Sequence, residues 1–184
     1  MIDTIGLLEF TRIAAGIEAS NQMLKAADVK LLSARYICPG KYIVLIAGDV
    51  SAVKSSVSAG VKSAKNHLLK EIVIPQISKD LIDLIQNKKI EVNEVDALGI
   101  LEYSSIAAGV IAADAAVKAA EIKLLKVVLG LKTGGKSLII FTGSIDACRQ
   151  GLNAAESVNK DNEKYLLAKK LISSPEKVLV DTLI

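Results

Sequence analysis

Cys38 stands in the run Ile37-Cys38-Pro39-Gly40-Lys41, a thiol on what reads as a tight connection between two strands. Pro39 restricts the residue before it to extended backbone, and Gly40 tolerates a left-handed turn position. A lone cysteine is ordinarily a small buried hydrophobe, and the rival reading is a thiolate that binds a metal. The other cysteine, Cys148, aligns with Val53 of a repeated helix and reads as core. With His67 as the single histidine, neither a Ser-His-Asp hydrolase nor a His-rich metal centre is expected. His67 aligns near Asn162, towards a helix end, and reads as exposed. Gly130-Leu131-Lys132-Thr133-Gly134-Gly135-Lys136-Ser137 fits the phosphate-loop pattern G-x-x-x-x-G-K-[ST] without mismatch. That chemistry requires the loop to open a helix whose first amides face the phosphates. Here Leu138-Ile139-Ile140-Phe141-Thr142 follows, which reads as strand. The loop is therefore expected to be a turn whose amides and lysine suit small anions. Glu9 and Glu102 resemble a carboxylate pair, but each sits in a strand-end motif and reads as structural. Lys25 and Lys118 occupy the same helical position in two halves of the chain, which sets them apart from ordinary solvated lysines.

These residues sit in a tandem duplication. Ile5 to Leu32 and Leu98 to Leu125 align without a gap at an offset of 93, and 14 of the 28 positions are identical. After that block the second copy gains two residues, so Gly40-Lys41 matches Gly135-Lys136 and Gly48 matches Gly143. The junction is expected in the polar stretch near 88–96, giving modules 1–92 and 93–184. Each reads as β-α-β-β-α-β followed by a short helix. In the first copy the strands are expected at 5–10 (broken at Gly6), 30–37, 42–47 and 71–74. The helices are expected from a Thr11 cap to about residue 27, over 51–65 and over 78–86. Ile13, Ile17 and Leu24, like Ile106, Val110 and Val117, recur at helical spacing. The fold class is α+β, two ferredoxin-like split-βαβ modules.

Composition narrows the function classes. The 184 residues carry 23 Lys and Arg against 20 Asp and Glu, a net charge of +3 spread evenly. That argues against nucleic acid or an anionic membrane as partner. Hydrophobic residues make up 51% and mean hydropathy is +0.41, yet no apolar run reaches the roughly 18 residues of a membrane span. Burial of part of that excess between subunits is the economical explanation. Two cysteines make no disulfide scaffold, and the N-terminus lacks a signal-peptide pattern, so the expected location is the cytosol. No residue set supports catalysis.

The repeated Gly-Leu-Leu-Glu, Ile-Ala-Ala-Gly, Lys-Ala-Ala and Gly-Lys-strand-Gly-Asp blocks, at Gly6 to Asp49 and again at Gly99 to Ser144, resemble bacterial microcompartment shell proteins. The second copy departs at its end, with Ser144 where the first has Asp49. Two modules in one chain are similar to the tandem-domain class. That resemblance implies a pseudohexameric homotrimer in the shell of an organelle in the bacterial cytoplasm, with other shell proteins as partners. It implies a central pore lined by Pro39, Gly40 and Lys41 and by Thr133, Gly134, Gly135 and Lys136. It also implies tile-edge contacts through Lys25 and Lys118. The Cys38 loop is similar to that of the propanediol-utilisation T subfamily, whose pore carries an iron–sulfur cluster. By that resemblance Cys38 of three subunits would hold a 4Fe–4S cluster, one iron taking a non-protein ligand. The cluster would serve electron transfer or cluster supply, with an encapsulated redox enzyme as a further partner. The alternatives are a cofactor-free pore tile, a pore of free thiols or another soft metal, and a nucleotide-binding enzyme using the 130–137 loop.

Overall fold

The computed structural model describes residues 4–86, 94–158 and 164–183. In the first copy β1 (Thr4–Phe10), α1 (Ile13–Ala26), β2 (Lys30–Ile37), β3 (Lys41–Gly48), α2 (Val50–Ala64), β4 (Leu68–Pro75) and α3 (Lys79–Ile85) follow in order. The second repeats them as β5 (Ala97–Tyr103), α4 (Ile106–Ala119), β6 (Lys123–Leu129), β7 (Ser137–Gly143), α5 (Ile145–Ser157), β8 (Leu166–Ser173) and α6 (Lys177–Leu183). The chain separates into two compact units, one reaching Lys79 and the other starting at Asp80. The junction expected at 92/93 and the residue Asn162 lie outside the described residues. Among the described residues no helix is long and apolar enough to cross a membrane.

Each unit holds a four-stranded antiparallel sheet, in the orders β2-β3-β1-β4 and β6-β7-β5-β8. This is the split-βαβ arrangement that the element order predicts. Even the irregularities are duplicated. The β1–β4 register shifts between Glu9 and Phe10, and the β5–β8 register between the aligned Glu102 and Tyr103. In the first unit Leu8, Phe10, Tyr42, Val44 and Ile46 of the sheet pack against Ala19 and Met23 of α1 and Val53 and Val57 of α2. The alternate sheet residues Ile5, Leu7, Ile43 and Leu45 are also fully buried. These strands are thus apolar on both faces, which is why they read as unbroken hydrophobic runs and not as alternating ones. In the second unit Val180 of α6 packs with Leu98, Leu125 and Ile140.

Three local expectations need correction. Gly6 does not break the first strand: β1 runs through it, paired to Ile46. A Cβ at Gly6 would lie 2.6 Å from Val57 Cγ2, and one at Gly99 would lie 2.1 Å from Phe141 Cε2. These positions need glycine so that bulky side chains can approach the sheet backbone, not for a bend. Thr11 does not cap α1. The N-cap is Arg12, without a side-chain cap, and the Thr11 amide and hydroxyl both donate to the His67 carbonyl at 2.8 and 3.3 Å. The second copy does carry a cap, because Ser105 replaces Arg12 and accepts from the Ala108 amide. The strand expected at 71–74 is longer, Leu68–Pro75, because its residues complete the ladder with β1.

Candidate functional site

Cys38, Pro39 and Gly40 form the exposed turn between β2 and β3, a connection too short to bury its own sulfur. Gly40 takes a left-handed φ of +73°, and the Cys38–Pro39 peptide is cis. Below the turn, Ile37 and Tyr42 are buried and fix its base. Lys41, the first residue of β3, donates to Glu9 Oε1 at 3.1 Å. Glu9 is on the neighbouring central strand β1 and only 3% exposed. Ile43 is opposite Glu9 in the ladder, so Lys41 is the diagonal neighbour on the same face.

The loop between β6 and β7, residues 130–136, is longer than the three-residue turn and differently built. Gly130, Lys132, Gly134 and Gly135 all take left-handed φ values, between 60° and 85°. The Gly130 amide and the Thr133 hydroxyl both donate to the Lys136 carbonyl, at 2.9 and 2.6 Å. The loop opens strand β7 and not a helix, and the Ser137 hydroxyl is buried and spent on the Ser105 carbonyl at 3.0 Å. The geometry that a phosphate loop needs is therefore missing here. Lys136 repeats the ion pair of the first copy, donating to Glu102 Oε1 at 2.7 Å.

Sequence reasoning named these lysines and carboxylates separately and missed that they are partners. The signal was present: both members recur, Glu9/Glu102 at an offset of 93 and Lys41/Lys136 at 95. Among the described residues, no three His, Cys, Asp or Glu side chains of one chain are placed to hold a metal ion. Cys38 offers one exposed sulfur, so a cluster would need thiolates from further copies of the chain. Cys148 is fully buried, its Sγ near the Ala97 and Gly143 carbonyls, and burial raises its thiol pKa. That makes it core and a poor thiolate ligand. His67 is exposed and closes a short 3-10 turn, Lys65–His67.

Lys25 and Lys118 lie in the last turns of α1 and α4, both exposed. Lys118 donates to Asp114 Oδ2 at 2.6 Å, while the residue four before Lys25 is Asn21. The helices themselves differ more than their sequences do. On α4 nine residues are buried, including Ile106 and Val110. On α1 only Gly16, Ala19, Ser20 and Met23 are buried, and Ile13, Ile17 and Leu24 are exposed at 37%, 54% and 42%.

Comparison with known proteins agrees with the duplication. The family model described as BMC domain matches residues 4–77 and again 97–175. The bacterial microcompartment shell protein PduT of Citrobacter freundii is 35% identical over 175 residues, 95% of this chain and 94% of that protein. The crystal structure of a microcompartment protein from Desulfitobacterium hafniense DCB superposes with a TM-score of 0.90 at 39% identity, covering 98% of this chain and 99% of the other. The fused permuted hexameric shell protein MSM0275 of the RMM microcompartment shares the fold, with a TM-score of 0.61 at 19% identity over 86% of this chain and 82% of its own.

Proposed function

This chain belongs to the BMC domain family, and from that premise we infer that it is a structural tile of a bacterial microcompartment shell, acting by enclosure and not by catalysis. The similarity to PduT over nearly the whole of both chains carries this reading. Two BMC domains per chain fit a homotrimer with six modules around one axis. The unequal burial of α1 and α4 supports it. The α4 positions Ile106 and Val110 are covered, while the aligned Ile13 and Ile17 on α1 form an apolar stripe that a second copy would cover.

In such a ring the 38–41 and 133–136 loops line a central passage, and the exposed lysines Lys25 and Lys118 meet neighbouring tiles of this or other shell proteins. Three Cys38 thiolates at the axis would hold a 4Fe–4S cluster, with one iron site left to a non-protein ligand. Bound there, such a cluster supplies one-electron chemistry, for exchange with an enclosed redox enzyme or as a source of clusters. The single exposed sulfur on a short loop, with the other cysteine buried, supports this assignment of ligands.

The test is iron and acid-labile sulfide content after anaerobic reconstitution, together with sedimentation. The expected species is near three times 19.5 kDa, or a larger sheet, with about one cluster per trimer. Cys38→Ser is expected to abolish iron and sulfide while leaving the trimer intact, and Cys148→Ser to leave the metal content unchanged. A Cys38→Ser protein that keeps its iron refutes the cluster site, and a monomer at micromolar concentration refutes the tile.

A further inference from the structure

The two connecting loops differ in length, glycine content and sulfur, yet each is followed by a lysine tied to a carboxylate on the central strand. Lys41 meets Glu9 at 3.1 Å and Lys136 meets Glu102 at 2.7 Å. We propose that Glu9 and Glu102 set the charge of the loops, each holding its lysine back over the sheet and cancelling it. What the tip of the first loop then presents is uncharged backbone and the Cys38 thiol, while the second loop adds only the exposed Lys132 ammonium, which lies outside the pair. In its second half this rests on the reading of the loops as the lining of a shared pore.

A carboxylate only 3% exposed, as Glu9 is, requires a partner in place, because an isolated buried charge is strongly disfavoured. The Lys41 side chain retains 30% of its exposure, so a freed ammonium would have solvent to move into. Glu102 and Lys136 are more open, at 34% and 48%, and that pair is held less firmly. Both pairs use the same diagonal across aligned strands, beside the bulge that the duplication has kept. Loop sequence has thus diverged around a kept ion pair. A trimer with both carboxylates neutralised would carry two uncompensated ammonium groups per chain beside the loops and would draw anions. The carboxylates are therefore specificity-determining residues for the charge of whatever passes.

Cys38 itself can report this field. In the full-length trimer purified without iron, alkylation of Cys38 is followed by mass spectrometry with anionic iodoacetate and neutral iodoacetamide. The ratio of the two rates reads the local potential. Glu9→Gln is expected to raise the ratio about two- to fivefold at low salt, an increase that collapses at about 0.5 M salt. Lys41→Met, which removes the ammonium and keeps the carboxylate, is expected to lower it by a similar factor, and the double variant to restore it. These opposite shifts separate an electrostatic effect from misfolding, which would expose Cys38 to both reagents alike. If neither single variant moves the ratio, the proposal is overturned whatever the assembly. Glu102→Gln in the trimer is expected to raise the ratio at Cys38 as well. If Glu9→Gln responds and Glu102→Gln does not, charge setting stands for the first loop and the shared pore is overturned.

Discussion

Helices α1 and α4 open with the same Ile-Ala-Ala-Gly and end with the same Lys-Ala-Ala, yet Ile17 is 54% exposed while its counterpart Val110 is fully buried. The local sequence decides that each segment is a helix and which stripe is apolar. It does not decide what lies against that stripe. Two copies of one module in a single chain occupy different surroundings, and the stripe on α1 is the face where that difference shows. The loops teach the converse: their surroundings are alike, strand to strand, but their contents differ. One carries Cys38 on a three-residue turn, the other a run of left-handed residues with no thiol. Divergence has collected at the tips, while the Glu–Lys pairs at their bases are kept.

The same charge placed on both helices is expected to have opposite consequences for folding and for assembly. Val110→Asp buries a carboxylate and is expected to cost about 4 kcal/mol of folding stability, enough to unfold a marginal module. Ile17→Asp, half exposed in the chain, is expected to change the stability of the folded chain by no more than about 0.5 kcal/mol. Its effect should fall on assembly: a folded species of one chain by sedimentation, where the parent is expected to sediment as a trimer. A trimer that tolerates Ile17→Asp would mean that the stripe is not a subunit contact.

Much of this architecture was legible in the sequence because it is written locally. The offset of 93, the strand at Lys30–Ile37 and the turn at Pro39-Gly40 all follow from residue type and spacing. What was illegible depends on partners distant along the chain. Lys41 and Glu9 are 32 residues apart, and only the strand register brings them together. Thr11 has the composition of a helix cap, but the His67 carbonyl, 56 residues away, takes its hydroxyl. Gly6 has the look of a strand breaker until Val53 and Val57 are seen crowding its backbone. The exposure of Ile13 and Ile17 has no local signal, since the aligned Ile106 and Val110 carry the same pattern into burial.

A smaller effect is expected at the aligned lysines. Lys118 is one partner of the buried Asp114, so Lys118→Ala should destabilise the fold by about 0.5–1 kcal/mol, allowing for its solvent exposure. Lys25→Ala, which has Asn21 in place of that aspartate, should be neutral within about 0.5 kcal/mol. If both lysines serve contacts between tiles, the double variant should remain a folded trimer by sedimentation but form fewer sheets by electron microscopy. Sheets formed undiminished would remove the tile-edge assignment and leave Lys118 as a local helix pair.

The finest difference between the copies is one hydroxyl. Phe10 of the first copy is Tyr103 in the second, and the Tyr103 hydroxyl donates to the Ala155 carbonyl at 3.0 Å in a fully buried site. Burial, with a smaller contribution from the negative charge of Glu156, pushes the phenol pKa from 10.0 up to about 12. The folded state thus keeps its proton over a range where the unfolded chain has lost it. The resulting stabilisation is fully present below pH 10 and is lost as pH rises from 10 towards about 12. Tyr103→Phe makes the second copy resemble the first at this position and removes the ionisable group. It is expected to cost about 1 kcal/mol near neutral pH, from the lost hydrogen bond. It should also cancel this residue's share of the alkaline decline, so the gap between parent and variant narrows from pH 8 to pH 11. Denaturant titrations at the two pH values measure that gap, with lysine ionisation common to both proteins. A gap that stays constant would mean that the Tyr103 phenol ionises alike in the folded and unfolded chain, and that this difference between the copies is one of packing alone.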